Sequence, residues 1–347
     1  MQWIFDKAGE VSAEHERQAR ERQAELTKPP GSLGLLEELA IRLAGLQHSA
    51  RPRIERPAIR IYAADHGVVA EGVSAFPQEV TVQMIMNFAN GGAAISVLAR
   101  QIGADFQVIN MGTAHPVPDH ALVRQAAVGP GTRNFCESAA MSRGQLEQAL
   151  AQGKSSVDEV IKAGADLFIG GEMGIGNTTS AAALACAMLD RPAADLVGAG
   201  TGVDAAGLRK KIAAVDRALS LHRTAFGDPV SILMCLGGFE IAALTGSYIR
   251  SAQQGLPVLV DGFICGAAAL AALGINPSIR PWLFFAHQSA EQGHRLLLNA
   301  LNARPLVSLD MRLGEGSGGA VALPLLQAAC RLHNQMATFA EAGVSEG

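Results

Sequence analysis

Two hydrophobic rhythms divide the chain. Over residues 33–48, Leu33, Leu36, Leu39, Ala40, Leu43 and Leu46 recur at intervals of three and four, the spacing of one buried helix face. A second helix is predicted over 12–26. Between the two, Thr27-Lys28-Pro29-Pro30-Gly31-Ser32 reads as a rigid turn with Ser32 as N-cap. From residue 58 the pattern changes to short apolar runs that end in glycine or a polar residue, each followed by an Ala-rich helical stretch. Strands are expected at 58–64, 105–111, 166–170, 257–260, 281–285 and 306–309. Helices are expected at 80–101, 143–163, 178–189, 205–222, 238–253, 262–273, 289–301 and 320–340. Runs without polar alternation suit strands buried on both faces, so the alternation predicts a wound, mainly parallel α/β sheet with helices on both faces. Residues 1–57 with 320–347 are expected to form a smaller helical domain, and 58–319 the sheet domain.

The polar motifs fall immediately after the predicted strands: Asp65-His66-Gly67, Gly171-Glu172-Met173, Asp261-Gly262 and His287-Gln288-Ser289. Open α/β sheets bind ligands at the carboxyl ends of their strands, so one cleft can collect all four.

Composition narrows the class. The chain has 347 residues, 49% of them hydrophobic and 17% charged, with a net charge of −4, which leaves ample apolar material for a core and no basic stripe for nucleic acid. Five scattered cysteines show no zinc or redox spacing and point to a reducing compartment. The N-terminus lacks an apolar signal core, and no stretch is expected to supply the roughly 18 apolar residues of a membrane span. A cytoplasmic protein without membrane or nucleic-acid partners is expected.

Four segments can carry chemistry. In Arg312-Leu313-Gly314-Glu315-Gly316-Ser317-Gly318-Gly319 a lone carboxylate stands among glycines before an apolar run. It is either a general base on a ligand-accessible turn or a first-turn acid favoured by the helix dipole. Gly171-Glu172-Met173-Gly174-Ile175-Gly176-Asn177-Thr178 has the spacing of a phosphate loop with Asn177 in place of the lysine, which argues against an NTPase and leaves room for one phosphate or carboxylate. The segment 198–204, with Gly202 and Asp204, leads into a helix bearing Arg209, Lys210 and Lys211, suited to a phosphate monoester or to an ordinary cap and solvated face. After Asp65-His66-Gly67, the residues Ser74, Phe76, Gln83 and Met84 can line a pocket for a flat ring or simply fill the core. His287, Glu291 and His294 are expected on one helix face as a hydrogen-bond network, without a metal.

Together these segments resemble the nicotinate-nucleotide–dimethylbenzimidazole phosphoribosyltransferase family. The resemblance runs from Leu26-Thr27-Lys28-Pro29-Pro30-Gly31-Ser32-Leu33-Gly34 through Asp65-His66-Gly67-Val68, Gly131-Thr132-Arg133-Asn134, Gly171–Thr179, Gly237-Gly238-Phe239-Glu240 and Asp261-Gly262-Phe263 to Leu313–Gly318. It implies a homodimer with a small helical domain, no metal and no cofactor. The implied reaction converts nicotinate mononucleotide and 5,6-dimethylbenzimidazole to α-ribazole 5′-phosphate and nicotinate, inverting the anomeric carbon. By resemblance Glu315 is the general base and Glu172 a second catalytic acid. Gly174, Gly176 and Lys211 match phosphate-end positions, Ser74 and Gln83 base-pocket positions, and Asn177, Thr178, Gly202, Leu313 and Gly314 are further substrate-binding positions by the same resemblance. Three positions depart from the family pattern: Ala199 and Gln288 where arginine is usual, and Ala205 where an acid often follows Asp204. Related enzymes use other purine-like or phenolic acceptors, so a different acceptor and a non-catalytic nucleotide-binding module are the alternatives.

Overall fold

Strands that are buried on both faces need no polar alternation, and β1 (Pro57–Ala64) is buried at all eight positions. The computed structural model describes residues 1–200 and 202–345. Thr201, inside the second glycine segment, and the last two positions of the 320–347 segment lie outside the described residues. The remaining strands are β2 (Asp105–Gly112), β3 (Val123–Gln125), β4 (Leu167–Met173), β5 (Val258–Val260), β6 (Leu283–Gln288) and β7 (Pro305–Ser308). They form one sheet in the order β3-β2-β1-β4-β5-β6-β7, parallel throughout. The α/β wound architecture is as the hydrophobic pattern predicts. Chain direction across the sheet reverses between β1 and β4, where Ala63 pairs with Met173. That is the topological switch point at which such sheets open a crevice.

Adjacent glycines in β4 display the two covered faces. A Cβ at Gly170 would meet Leu244 and Tyr248 of the helix Phe239–Gln253, whereas one at Gly171 would come within 2.6 Å of the Glu315 backbone. The helices Arg143–Lys162 and Phe263–Ile275 flank Phe239–Gln253 on the first side, and Glu79–Ala89, Ala94–Gln101 and Ser317–Gln335 cover the other. Leu39, Leu43 and Leu46 of the helix Leu35–Leu46 join the same continuous core.

Several boundaries differ from the sequence expectation, each for a local reason. The predicted helix 80–101 is two helices, because Gly91 turns left-handed at φ +83°. The same stretch, Glu79–Gln101, is apolar enough by composition to span a membrane at mean hydropathy 1.3, yet it folds as this broken pair against the sheet. Ser32 is not a cap: the helix begins at Leu35 with Gly34 (φ +53°) in the N-cap position. The helix predicted at 289–301 begins only at His294, and the last one begins at Ser317 rather than 320 and ends at Gln335. The edge strand β3 and the helix Pro229–Leu236 were not anticipated.

Candidate active site

Beyond the carboxyl ends of β4 to β7 lies a cavity of about 410 Å³. Phe76, Val80 and Met84, from the segment after β1, make an apolar wall facing Leu313. Glu172, Asn177 and Thr178 follow from β4, Asp261 from β5, His287 and Glu291 from β6 and beyond, and Glu315 from the loop after β7. The cavity thus joins an apolar slot to a dense group of acids.

Glu315 is held in an unusual backbone. Gly314, Glu315 and Gly316 are consecutively left-handed, at φ +83°, +65° and +78°. For a residue with a Cβ that conformation costs about 1–2 kcal/mol, so the surroundings must fix it. Two strand-end carboxylates do so. The Glu315 N–H donates to Glu172 Oε1 at 3.4 Å, and the Gly316 and Gly319 N–H groups donate to Asp261 Oδ2 and Oδ1 at 3.1 and 2.8 Å. Each such hydrogen bond contributes about 0.5–1.5 kcal/mol, and more where the acceptor is ionised, so the three together offset the strain. Gly314 is needed on two counts: its φ, and a Cβ that would lie 2.4 Å from Glu172 Oε1.

Burial sets the acid chemistry. The Glu315 carboxyl is 6% exposed and pushed up to about 7, chiefly by desolvation, with the Ile95 amide holding it down and the Asp261 charge raising it. Its Oε2 is buried without a hydrogen-bond partner. Glu172 rises further, to about 8, through burial and the neighbouring Asp261 and Glu240 charges, against a hydrogen bond from Asn177 Nδ2. Asp261 reaches about 7 by burial, restrained by the backbone amides it accepts. The imidazoles beside them stay neutral. Burial lowers His287, and His294 falls to about 3 for the same reason. His294 Nδ1 accepts the Ser289 N–H at 2.8 Å.

Of the residues singled out in the sequence, Glu315, Glu172, Gly174, Asn177, Thr178, Leu313 and Gly314 meet at this cavity. Phe76, Met84, Asp261, His287, Ser289 and Glu291 from the same motifs line it too, whereas the remaining predicted site residues do not. Lys211 lies behind the lining, buried, its ammonium donating to Thr178 Oγ1 at 3.0 Å; burial lowers it to about 8. Gly176, at φ +97°, is a packing position, since a Cβ there would lie 2.9 Å from Val69. Gly202 is exposed at φ +108°. Ser74 closes a local turn, donating to the Phe76 carbonyl and accepting the Phe76 N–H, and Gln83 is exposed, because Thr81, Ile85 and Phe88 form the buried helix face and Val80 and Met84 the face toward the cavity. His287 and Glu291 do not share a helix face: His287 lies within β6, one residue before its end, and Glu291 sits in the turn before His294. Asp204 is an N-cap, accepting the Gly207 N–H at 2.7 Å. Ala199 and Ala205 are exposed and Gln288 half-buried, all outside the lining.

Two features were not anticipated. Asp261 acts on the Glu315 turn from 55 residues away. His66 makes a fully buried 2.6 Å contact with Glu240, 174 residues distant. Both carboxylates stood in motifs visible in the sequence, and an acid inside the Ala-rich helix after 238 was the available signal. Among the described residues no cluster of three or more His, Cys, Asp or Glu side chains has metal-holding geometry.

Similarity to known proteins agrees with the geometry. A family model described as phosphoribosyltransferase (DBI_PRT) matches residues 8–344. The nicotinate-nucleotide–dimethylbenzimidazole phosphoribosyltransferase of Azotobacter vinelandii is 62% identical over 329 residues, covering 94% of each chain. That of Pseudomonas fluorescens is 56% identical, covering 99% of this chain and 98% of its own. The crystal structure of the Thermus thermophilus enzyme of the same name superposes with a TM-score of 0.92 at 46% identity, over 97% of this chain and 100% of that one. The chain therefore belongs to the nicotinate-nucleotide–dimethylbenzimidazole phosphoribosyltransferase family of pentosyltransferases.

Proposed function

We propose that the chain transfers the phosphoribosyl group of nicotinate mononucleotide to 5,6-dimethylbenzimidazole with inversion, giving α-ribazole 5′-phosphate and nicotinate for the lower ligand of cobalamin. The observation that carries the mechanism is the buried, unpartnered Oε2 of Glu315 at the wall of a cavity lined in part by Phe76, Val80, Met84 and Leu313.

The leaving group in the donor is a cationic pyridinium, so its C–N bond breaks without an acid: the bonding pair returns to the ring nitrogen and neutralises it. The unprotonated benzimidazole nitrogen attacks the anomeric carbon from the opposite face, and the other ring nitrogen must shed its proton. Glu315, raised to about 7, is matched to accept that proton near neutral pH. Phe76, Val80, Met84 and Leu313 suit the faces of a ring, which positions the attacking atom. Thr178, with Lys211 behind it, and the backbone at Gly174 and Gly200 supply donors and one positive charge for a phosphate. Glu172 then serves as a second acid that braces Glu315 from β4. We assign the working form to a cytoplasmic homodimer. We also divide the chain into a small helical unit, 1–57 with 320–347, set against the sheet unit 58–319. The bonds from Arg22 to the His333, Asn334 and Met336 carbonyls support that grouping of the termini.

The test is incubation with nicotinate mononucleotide and a panel of acceptors while nicotinate release is followed. Release with dimethylbenzimidazole supports the proposal. Release only with other bases or phenols reassigns the acceptor, and donor binding without turnover reduces the chain to a nucleotide-binding module.

A further inference from the structure

We propose that Asp261 is a positioning residue for the transfer, pinning the left-handed turn so that Glu315 stands at the acceptor's proton. This rests on Glu315 being the base. Asp261 directly follows β5, the strand between β4 and β6, and is 2% exposed. Each of its oxygens accepts a backbone N–H from the start of the helix Ser317–Gln335: Oδ2 from Gly316 and Oδ1 from Gly319. Glu315 itself is tethered from the other side through its own N–H to Glu172. The two successive amides around the base are therefore held by carboxylates of two neighbouring strand ends, on a backbone that would otherwise relax away from φ +65°. Asp261 lines the cavity, but with both oxygens occupied by backbone it is better placed to fix the turn than to grip a substrate. An ordinary helix cap would do something else. It would sit one residue before the helix on the same chain, whereas this one reaches across from another strand and leaves Gly316 as the local N-cap without a side-chain bond.

The charge matters as well as the bonds. Facing Asp261 are Glu172 from β4, His287 Nε2 from β6 at 3.8 Å, Cys265 from the helix that begins at Phe263, and Glu315. Glu240, from the helix Phe239–Gln253, acts on the same group through Glu172. The Asp261 anion is one of the influences that raise Glu315.

Asp261→Asn removes the charge and one acceptor while keeping the shape. We expect kcat to fall about 10–100-fold with the donor KM within about threefold. The acidic limb of kcat/KM should move to lower pH by about half a unit or more, because a like charge beside the base is gone. Asp261→Glu keeps the charge and displaces the carboxylate, so kcat should fall with the acidic limb unmoved; it also serves if the asparagine variant fails to fold, as thermal melting would reveal. A kcat within about twofold of the parent and an unshifted limb in a folded asparagine variant would overturn the positioning role, and so would a rise confined to the donor KM. Failure of the base assignment is separately visible, as near-parental turnover by Glu315→Gln.

Discussion

Glu172 is an acid kept where its charge is costly, and replacing it with glutamine should make the protein more stable and less active. Its carboxyl is 5% exposed and rises from 4.5 to about 8 in the fold, by burial and by the Asp261 and Glu240 charges. A folded-state pKa above the unfolded one favours the fold fully only below about 4.5, and this advantage is lost as pH rises through about 8. At 1.36 kcal/mol per unit, holding the group costs about 2 kcal/mol at pH 6 and about 4–5 kcal/mol at pH 9. Glutamine keeps an oxygen for the Glu315 N–H and pays no ionisation cost. The stability gap between Glu172→Gln and the parent should therefore widen by about 2–3 kcal/mol from pH 6 to pH 9, which for a chain this long is about 3–4 °C in Tm. Thermal unfolding of both proteins at the two pH values measures it, with nicotinate release assayed on the same samples. A gap that stays constant or narrows with pH would refute the electrostatic reasoning. Full activity in the stabilised variant would refute the claim that the acid is retained for catalysis.

Other variants probe the rest of the cavity. Glu315→Gln should lower turnover by about two to four orders of magnitude with donor binding preserved, measured by turnover and by isothermal titration with nicotinate mononucleotide. In the parent, kcat/KM should rise as Glu315 deprotonates through about pH 7 and fall above about pH 8 as Lys211 loses its proton. Lys211→Met should abolish the alkaline limb and raise the donor KM about tenfold or more; an effect on kcat alone would argue against a role at the phosphate end. Gly314→Ala, with its added Cβ 2.4 Å from Glu172 Oε1 at φ +83°, should destabilise the fold by about 1–3 kcal/mol and disable the base, seen as a lower Tm and a lower kcat.

The strands of the sheet were legible because the central ones are short, mostly apolar runs ending in a polar motif (Arg60 in β1 being the interruption), and the placing of Glu172, Asp261 and His287 at one crevice followed from that. What local pattern could not supply was pairing over distance. The buried bond between His66 and Glu240 joins residues 174 apart, and the start of the last helix at Ser317 depends on Asp261. β3 escaped notice because three residues at a sheet edge carry no periodicity. Ser74 and Gln83 were placed by the polarity a ring pocket needs; the helix that starts at Glu79 instead turns Val80 and Met84 toward the cavity and leaves Gln83 exposed.

The crevice is assembled from separate stretches of chain, and this bears on how the enzyme can diversify. The apolar wall of Phe76, Val80 and Met84 belongs to one stretch of chain, the loop after β1 and the first turns of the helix Glu79–Ala89. It shares no hydrogen bond with Glu172, Asp261 or Glu315, among the described residues. Substitutions along that wall can reshape the accommodated ring while the acids, their strained turn and the sheet beneath stay as they are. With that wall assigned to the acceptor ring as proposed above, acceptor choice becomes a detachable trait of this scaffold, open to drift or engineering one residue at a time.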